Sequence, residues 1–177
     1  LKPIKEYNLS AADIKEIIHI IMTQEQLEAF SVKGEMDLAY SAIGIGRFRS
    51  NVYRQRGKIS IVFRYIPEKI PSYKALNLPP IISKLADNKR GLILVTGTTG
   101  SGKSTTLAAM IDYINSNRAV SIITLEDPIE FLHKDKLSII SQREIGIDTS
   151  SYADALKHIV RQDPDVILIG EMRDPET

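Results

Sequence analysis

The stretch Gly97-Thr98-Thr99-Gly100-Ser101-Gly102-Lys103-Ser104-Thr105 constrains this chain more than any other. Its first eight residues satisfy G-x-x-x-x-G-K-[ST] at every position. A short apolar run, Leu92–Thr96, precedes it, and a helical pattern runs from Lys103 to Asn115. Glycines let a backbone curl so that successive N–H groups face one anion, and a helix that begins there adds its positive end. Lys103 is then placed to reach the β- and γ-phosphates of a nucleotide, and Ser104 to ligate Mg²⁺. A chance glycine-rich turn is the alternative. The flanking strand and helix argue against it.

The same alternation continues after Arg90. Ser121–Leu125, Leu137–Ser141 and Val166–Ile169 read as strands, and Tyr152–Arg161 as a helix. Strands that alternate with helices predict a parallel sheet covered on both faces. Ligands of such sheets bind at the carboxyl ends of the strands. Glu126, Asp127 and Glu130 follow the strand Ser121–Leu125, with Pro128 among them. They are candidates to hold Mg²⁺ or to orient an attacking water; a solvated acidic turn is the other reading. Glu171 follows Val166–Gly170. An apolar strand that ends in a carboxylate is the second half of a nucleotide site. Gly170 stands where that motif usually has Asp, so Glu171 is left to do the metal-side work.

Residues 1–66 follow a different grammar and predict a small α+β unit. Ser10 and Asp13 have capping spacing, and Ile14, Ile17, Ile18 and Ile21 form one helical stripe. Thr23 and Gln26 repeat the capping spacing ahead of Leu27 and Phe30. Three strands follow, around Met36–Tyr40, Arg47–Tyr53 and Ile59–Tyr65, with turns at Gly44–Gly46 and at Gln55–Lys58. Pro67, Pro71, Pro79 and Pro80 mark 67–80 as a linker, and a short helix is expected over Ile81–Asp87.

Composition narrows the classes. With 23 Lys and Arg against 22 Asp and Glu, the net charge is +1. The chain has no cysteine, which excludes disulfide scaffolds and Cys-ligated metals within these residues. No apolar run approaches the ~20 residues of a membrane span. A soluble cytoplasmic protein is the default. A start at Leu1 and a stop at Thr177, just past a strand, read as part of a longer polypeptide.

The balanced charge hides an asymmetry. Residues 38–67 contain no Asp or Glu but carry Arg47, Arg49, Arg54, Arg56, Lys58 and Arg64. Such a patch can be a solvated face, a nucleic-acid surface, or a source of arginines for a neighbouring subunit's nucleotide. Only Tyr53 interleaves with the cations, and single-strand binders need several stacking aromatics. The histidines say less. His19 and His158 lie on helices and read as structural or exposed. His133 follows the acidic residues and is a minor site candidate. Tyr7 and Tyr73 have no motif around them.

Four segments together carry a family resemblance: GTTGSGKST at 97–105, TLEDPIEF at 124–131, SQRE at 141–144 and RQDPDVILIGEMRDPET at 161–177. With GRFRSNVYRQRG and FRYIP in the first 66 residues, they resemble the secretion ATPase superfamily of type II secretion and type IV pili. Within it the chain is most similar to the retraction ATPases of twitching motility, with GEMRD and a small domain joined straight to the core as cues. The resemblance implies an α/β fold: a PAS-like domain at 1–66, the linker 67–80, and a RecA-like P-loop ATPase core at 81–177 that is incomplete at its C-terminus. It implies ATP and Mg²⁺ as cofactors, a ring-shaped homohexamer, and nucleotide between the two domains. An inner-membrane pilus platform protein is the implied partner, with a cytoplasmic location peripheral to the membrane and no nucleic acid. The family's phosphate loop falls on Gly97–Ser104. Its acidic box falls on Glu126, Asp127 and Glu130, with Glu130 matching the water-activating glutamate. Its Gly-Glu metal-side motif falls on Gly170 and Glu171. Arg49 and Arg64 best fit its arginines that face a neighbouring site, with Arg47 and Arg56 as further candidates. The family's histidine box and last core helices follow the metal-side motif, so residues 1–177 alone are expected not to turn over ATP. A pilus-assembly or type II secretion ATPase is the nearest alternative, and a nucleic-acid-translocating ATPase a more distant one.

Overall fold

The structure is a computed structural model that describes residues 8–67 and 69–172. Tyr7, and the Arg173 and Asp174 of GEMRD, lie outside the described residues. Contacts divide the chain after Ile66 into two units.

In the first unit two helices stand on a three-stranded sheet. Helix α1 spans Ala11–Ile21 and α2 spans Gln24–Lys33. Both begin with a reciprocal capping box. Ser10 Oγ accepts from Asp13 N at 3.2 Å while Asp13 Oδ2 accepts from Ser10 N at 2.6 Å. Thr23 and Gln26 repeat the arrangement. Each cap satisfies amides that a helix start leaves orphaned. Strands β1 (Glu35–Ala42), β2 (Gly46–Gln55) and β3 (Lys58–Ile66) pair antiparallel with β2 in the middle. The two-residue turn between β2 and β3 holds Arg56 at φ 50° and Gly57 at φ 75°. Two positive φ values are what a tight hairpin turn of matching twist requires.

Because side chains alternate across a strand, the register decides which residues are covered. Ile18, Ile21, Met22, Phe30, Leu38 and Val52 form the core, with Ile59 and Ile61 packed against it. Arg54 lies with its guanidinium carbon 5.7 Å from the centre of the Phe30 ring. The opposite face carries Arg49, Asn51 and Arg64. Arg49 sits directly across from Arg64 in the ladder.

In the second unit, α3 (Ile81–Ala86) precedes α4 (Lys103–Asn117). Then come β4 (Ser121–Glu126), β5 (Ile139–Glu144), α5 (Tyr152–Ile159) and β6 (Val166–Ile169). The strands are parallel in the order β5-β4-β6. Adjacent β4 residues serve opposite faces. Ile122 packs with Ala86, Met110, Ile111 and Ile114 beneath α4, while Ile123 and Leu125 pack with Ala155 and Ile159 beneath α5. The sheet is thus covered on both sides.

Two sequence expectations shift here. Leu92–Thr96 is not a strand, and Leu92 and Leu94 are exposed. A strand exists only with a partner ladder, and none of the described strands pairs with this segment. The strand expected from Leu137 starts at Ile139 instead. The cause is Asn115, fully buried in the last turns of α4. Its Oδ1 accepts from Lys136 N and Ser138 N, its Nδ2 donates to Lys134 O, and its carbonyl accepts from Leu137 N. Those bonds hold 136–138 out of the ladder. Among the described residues no helix is long and apolar enough to cross a membrane.

Candidate functional site

The glycine loop has the backbone that its composition requires. Gly97 and Gly102 have φ 155° and 91°, and Gly102 is the residue from which α4 starts. A Cβ on Gly97 would also lie 2.6 Å from Ser101 Oγ, a distance real Cβ atoms do not adopt. The positive φ and this close approach both favour glycine there. Lys103 Nζ donates to the carbonyls of Gly97 and Thr98 at 2.9 Å each. The ammonium is thereby held across the loop, and the first amides of α4 point out of its N-terminus.

One cleft gathers the other candidates. Ser104, Glu126, Asp127, Glu130, Gly170 and Glu171 all line it. Ser104 comes from the first turn of α4, Glu126 from the end of β4, Asp127 and Glu130 from the loop beyond, and Gly170 and Glu171 from the end of β6. The parallel register causes this convergence, since it brings the carboxyl ends of β4 and β6 side by side. Gly97–Lys103 and Thr105 are not part of the lining, although Lys103 and Thr105 flank Ser104 in the chain. Arg49 and Arg64 belong to the first unit and are half-buried and exposed respectively.

Gly170 has a packing reason. Its N–H donates to Leu125 O at 2.8 Å, and a Cβ there would meet Leu125 O at 3.2 Å and the Cα of Glu126 at 3.3 Å. An aspartate at this position would press on the end of β4 and displace Glu126.

The carboxylates differ in how they are held. Glu126 is the most constrained. Its Oε1 accepts from Thr124 Oγ1 at 2.7 Å and from Gln142 Nε2 at 3.1 Å, and its Oε2 accepts from Glu130 N at 3.3 Å. Burial pushes its carboxyl above the usual range, those hydrogen bonds pull it back, and the nearby Glu130 adds a small upward push. Glu130 is exposed and lines the cleft from a loop whose backbone is fixed.

His133 also lines the cleft, a stronger position than the sequence suggested. Burial, opposed by Asp112 and helped by a smaller push from Lys136, lowers its pKa to about 4. The imidazole is neutral at pH 7. An unfolded chain takes up this proton near pH 6.5 and the folded one only near pH 4, so stability falls as pH drops through that window. Replacing His133 with Phe is expected to flatten the acid limb of the urea-unfolding midpoint between pH 6.5 and 4. At 1.36 kcal/mol per pKa unit the limb is worth at most about 3 kcal/mol. His19 and His158 are exposed on α1 and α5.

Gln142 and Glu144 carried no chemistry in the sequence reading, yet both hold the acidic loop from β5. The available signal was two polar residues at alternating positions of a strand in a buried sheet.

The fold and cleft therefore define an α/β unit with a glycine loop at a helix N-terminus and carboxylates at adjacent strand ends. The family model for type II/IV secretion system proteins matches residues 60–177, and the chain belongs to that family. Over 169 residues it is 46% identical to a twitching motility protein of Neisseria gonorrhoeae, covering 96% of this chain and 45% of the relative. It is 43% identical to the type IV pilus retraction ATPase PilT of Pseudomonas aeruginosa, covering 98% and 52%. A crystal structure of the pilus retraction motor PilT with bound ADP superposes with a TM-score of 0.90 at 50% identity, covering 93% of this chain and 48% of that one. The chain spans about half the length of the curated relatives it matches.

Proposed function

We propose that this chain carries the nucleotide site of a P-loop ATPase motor that powers type IV pilus retraction. The observation that carries the reading is the convergence of Ser104, Glu126, Glu130 and Glu171 on one cleft beside the Gly97–Lys103 loop. The similarity to a retraction motor solved with ADP supports it.

The residues fit Mg·ATP. Loop amides and the start of α4 attract phosphate, and the Lys103 ammonium lies across the loop mouth. The Ser104 hydroxyl and the Glu171 carboxylate are hard oxygen donors, as Mg²⁺ prefers. Among the described residues no three His, Cys, Asp or Glu side chains form a metal cluster. A P-loop site needs none, because phosphates and water complete the shell. Bound Mg²⁺ supplies neutralisation of the charge that develops on the transferred phosphoryl group.

Lys103 steadies the β- and γ-phosphates. Glu126, held by three donors, orients the loop. Glu130, an exposed residue of the cleft lining, accepts the proton of the attacking water. Arg49 and Arg64 serve a neighbouring subunit's nucleotide. Like charges directly opposite in a ladder are unfavourable, and an anion between them relieves the repulsion. The assembly is a homohexamer at the cytoplasmic face of the inner membrane, acting on the pilus platform protein. The first unit is its PAS-like domain and residues 81–177 belong to its RecA-like core.

Glu130→Gln tests the chemistry. In the full-length protein it is expected to bind Mg·ATP as the wild type does and to lose turnover about 10²-fold or more. Wild-type turnover would remove Glu130 from the reaction.

A further inference from the structure

We infer that Gln142 is a positioning residue that sets the water-activating loop, with Glu144 as its second point of attachment. Each of its polar atoms bonds to that loop or to the carboxylate at its root. Its Nε2 donates to Glu126 Oε1 at 3.1 Å and to Phe131 O at 2.8 Å, and its Oε1 accepts from His133 N at 2.8 Å. Two residues on, and therefore on the same face of β5, buried Glu144 accepts from Ile129 N through Oε2 at 3.1 Å. Glu130 lies between the points that these two side chains fix.

The chemistry requires an amide at 142. Two acceptors and one donor surround the side chain, and only a primary amide offers two donors and one acceptor on that frame. A glutamate there would set a carboxylate against both Glu126 and the Phe131 carbonyl. The register explains why the side chain reaches. Gln142 pairs with Thr124, and Glu144 with Glu126, in the parallel β4–β5 ladder. The loop that leaves β4 must return across the carboxyl end of β5, over these two residues. An error of about 1 Å in a catalytic group costs ~10²-fold in rate, so this frame governs the reaction without touching nucleotide.

The inference rests on the proposed nucleotide site, and the experiment separates the two. In the full-length protein, Gln142→Glu and the uncharged Gln142→Met are compared with wild type and with Lys103→Ala. Three quantities are read: kcat and KM for ATP, Mg·ADP affinity, and hydrogen exchange across 127–133. Both Gln142 variants are expected to lower kcat about 10- to 100-fold, with KM and ADP affinity within about threefold of wild type. Exchange of the 127–133 amides should accelerate in both without bound nucleotide. If Gln142→Glu does not fold, Gln142→Met carries the same expectations. Wild-type kcat with unchanged exchange would overturn the inference, as would an equal loss of ADP affinity and kcat. If Lys103→Ala also keeps wild-type turnover, the nucleotide assignment fails; if it abolishes turnover while the Gln142 variants do not, only the role of Gln142 fails.

Discussion

Replacing Arg49 or Arg64 with alanine is expected to lower ATP turnover by the full-length assembly about 10³-fold, while an isolated subunit binds nucleotide normally. Arginine fingers are worth ~10³–10⁵ in rate, and the remaining arginine of the pair keeps the loss at the low end. Two features motivate this. Arg49 and Arg64 are cross-strand partners on one face of the first sheet, where their repulsion costs stability. Among the described residues neither forms an ion pair. Mixing supplies the decisive arm. When Arg49→Ala subunits are combined with Lys103→Ala subunits, some sites receive an intact Lys103 from one copy and an intact Arg49 from the next. Partial recovery of turnover is expected if the arginine acts across subunits, and none if it acts on its own subunit's nucleotide. Unchanged activity in both single variants would remove the two arginines from the reaction.

Lys103→Ala is expected to reduce turnover by the full-length protein by about 10³-fold or more, and to weaken nucleotide binding as well. Removing one preorganised charge-stabilising group typically costs 10²–10³ in rate. In the proposed site Lys103 also anchors ground-state phosphate, so the expected combined loss is larger. Folding should hardly change. The two carbonyls that Lys103 Nζ engages belong to exposed loop residues, which water can satisfy. An unfolding midpoint close to wild type, with turnover abolished, separates the chemical role from a structural one. Wild-type turnover in this variant would contradict the nucleotide assignment.

What the sequence disclosed was local, and what it hid was paired. The capping boxes at Ser10–Asp13 and Thr23–Gln26 are set by residues three apart, so spacing alone located both helix starts. The glycine loop and Lys103 were equally legible. Strand status was not, because it depends on a distant ladder: Leu92–Thr96 has strand composition but no described partner. The start of β5 moved because Asn115, more than twenty residues earlier, holds residues 136–138. The site divides in the same way. Glu126, Glu130 and Glu171 could be found at strand ends from the pattern. Their convergence with Ser104, and the engagement of Gln142 with Glu126 and two loop groups, follow from a parallel register that no local spacing encodes. The place of His133 is hidden in the sequence for a related reason. Nothing beside it in sequence shows that the loop folds back and buries the imidazole.

The most direct test of the proposed nucleotide site is a structure of the full-length assembly with Mg²⁺ and a slowly hydrolysed ATP analogue. The account predicts the γ-phosphate within hydrogen-bond reach of Lys103 Nζ, the metal on Ser104 Oγ, and Glu130 facing the side from which water attacks. A nucleotide bound elsewhere, or phosphates in this loop with Glu130 and Glu171 turned away from them, would contradict it.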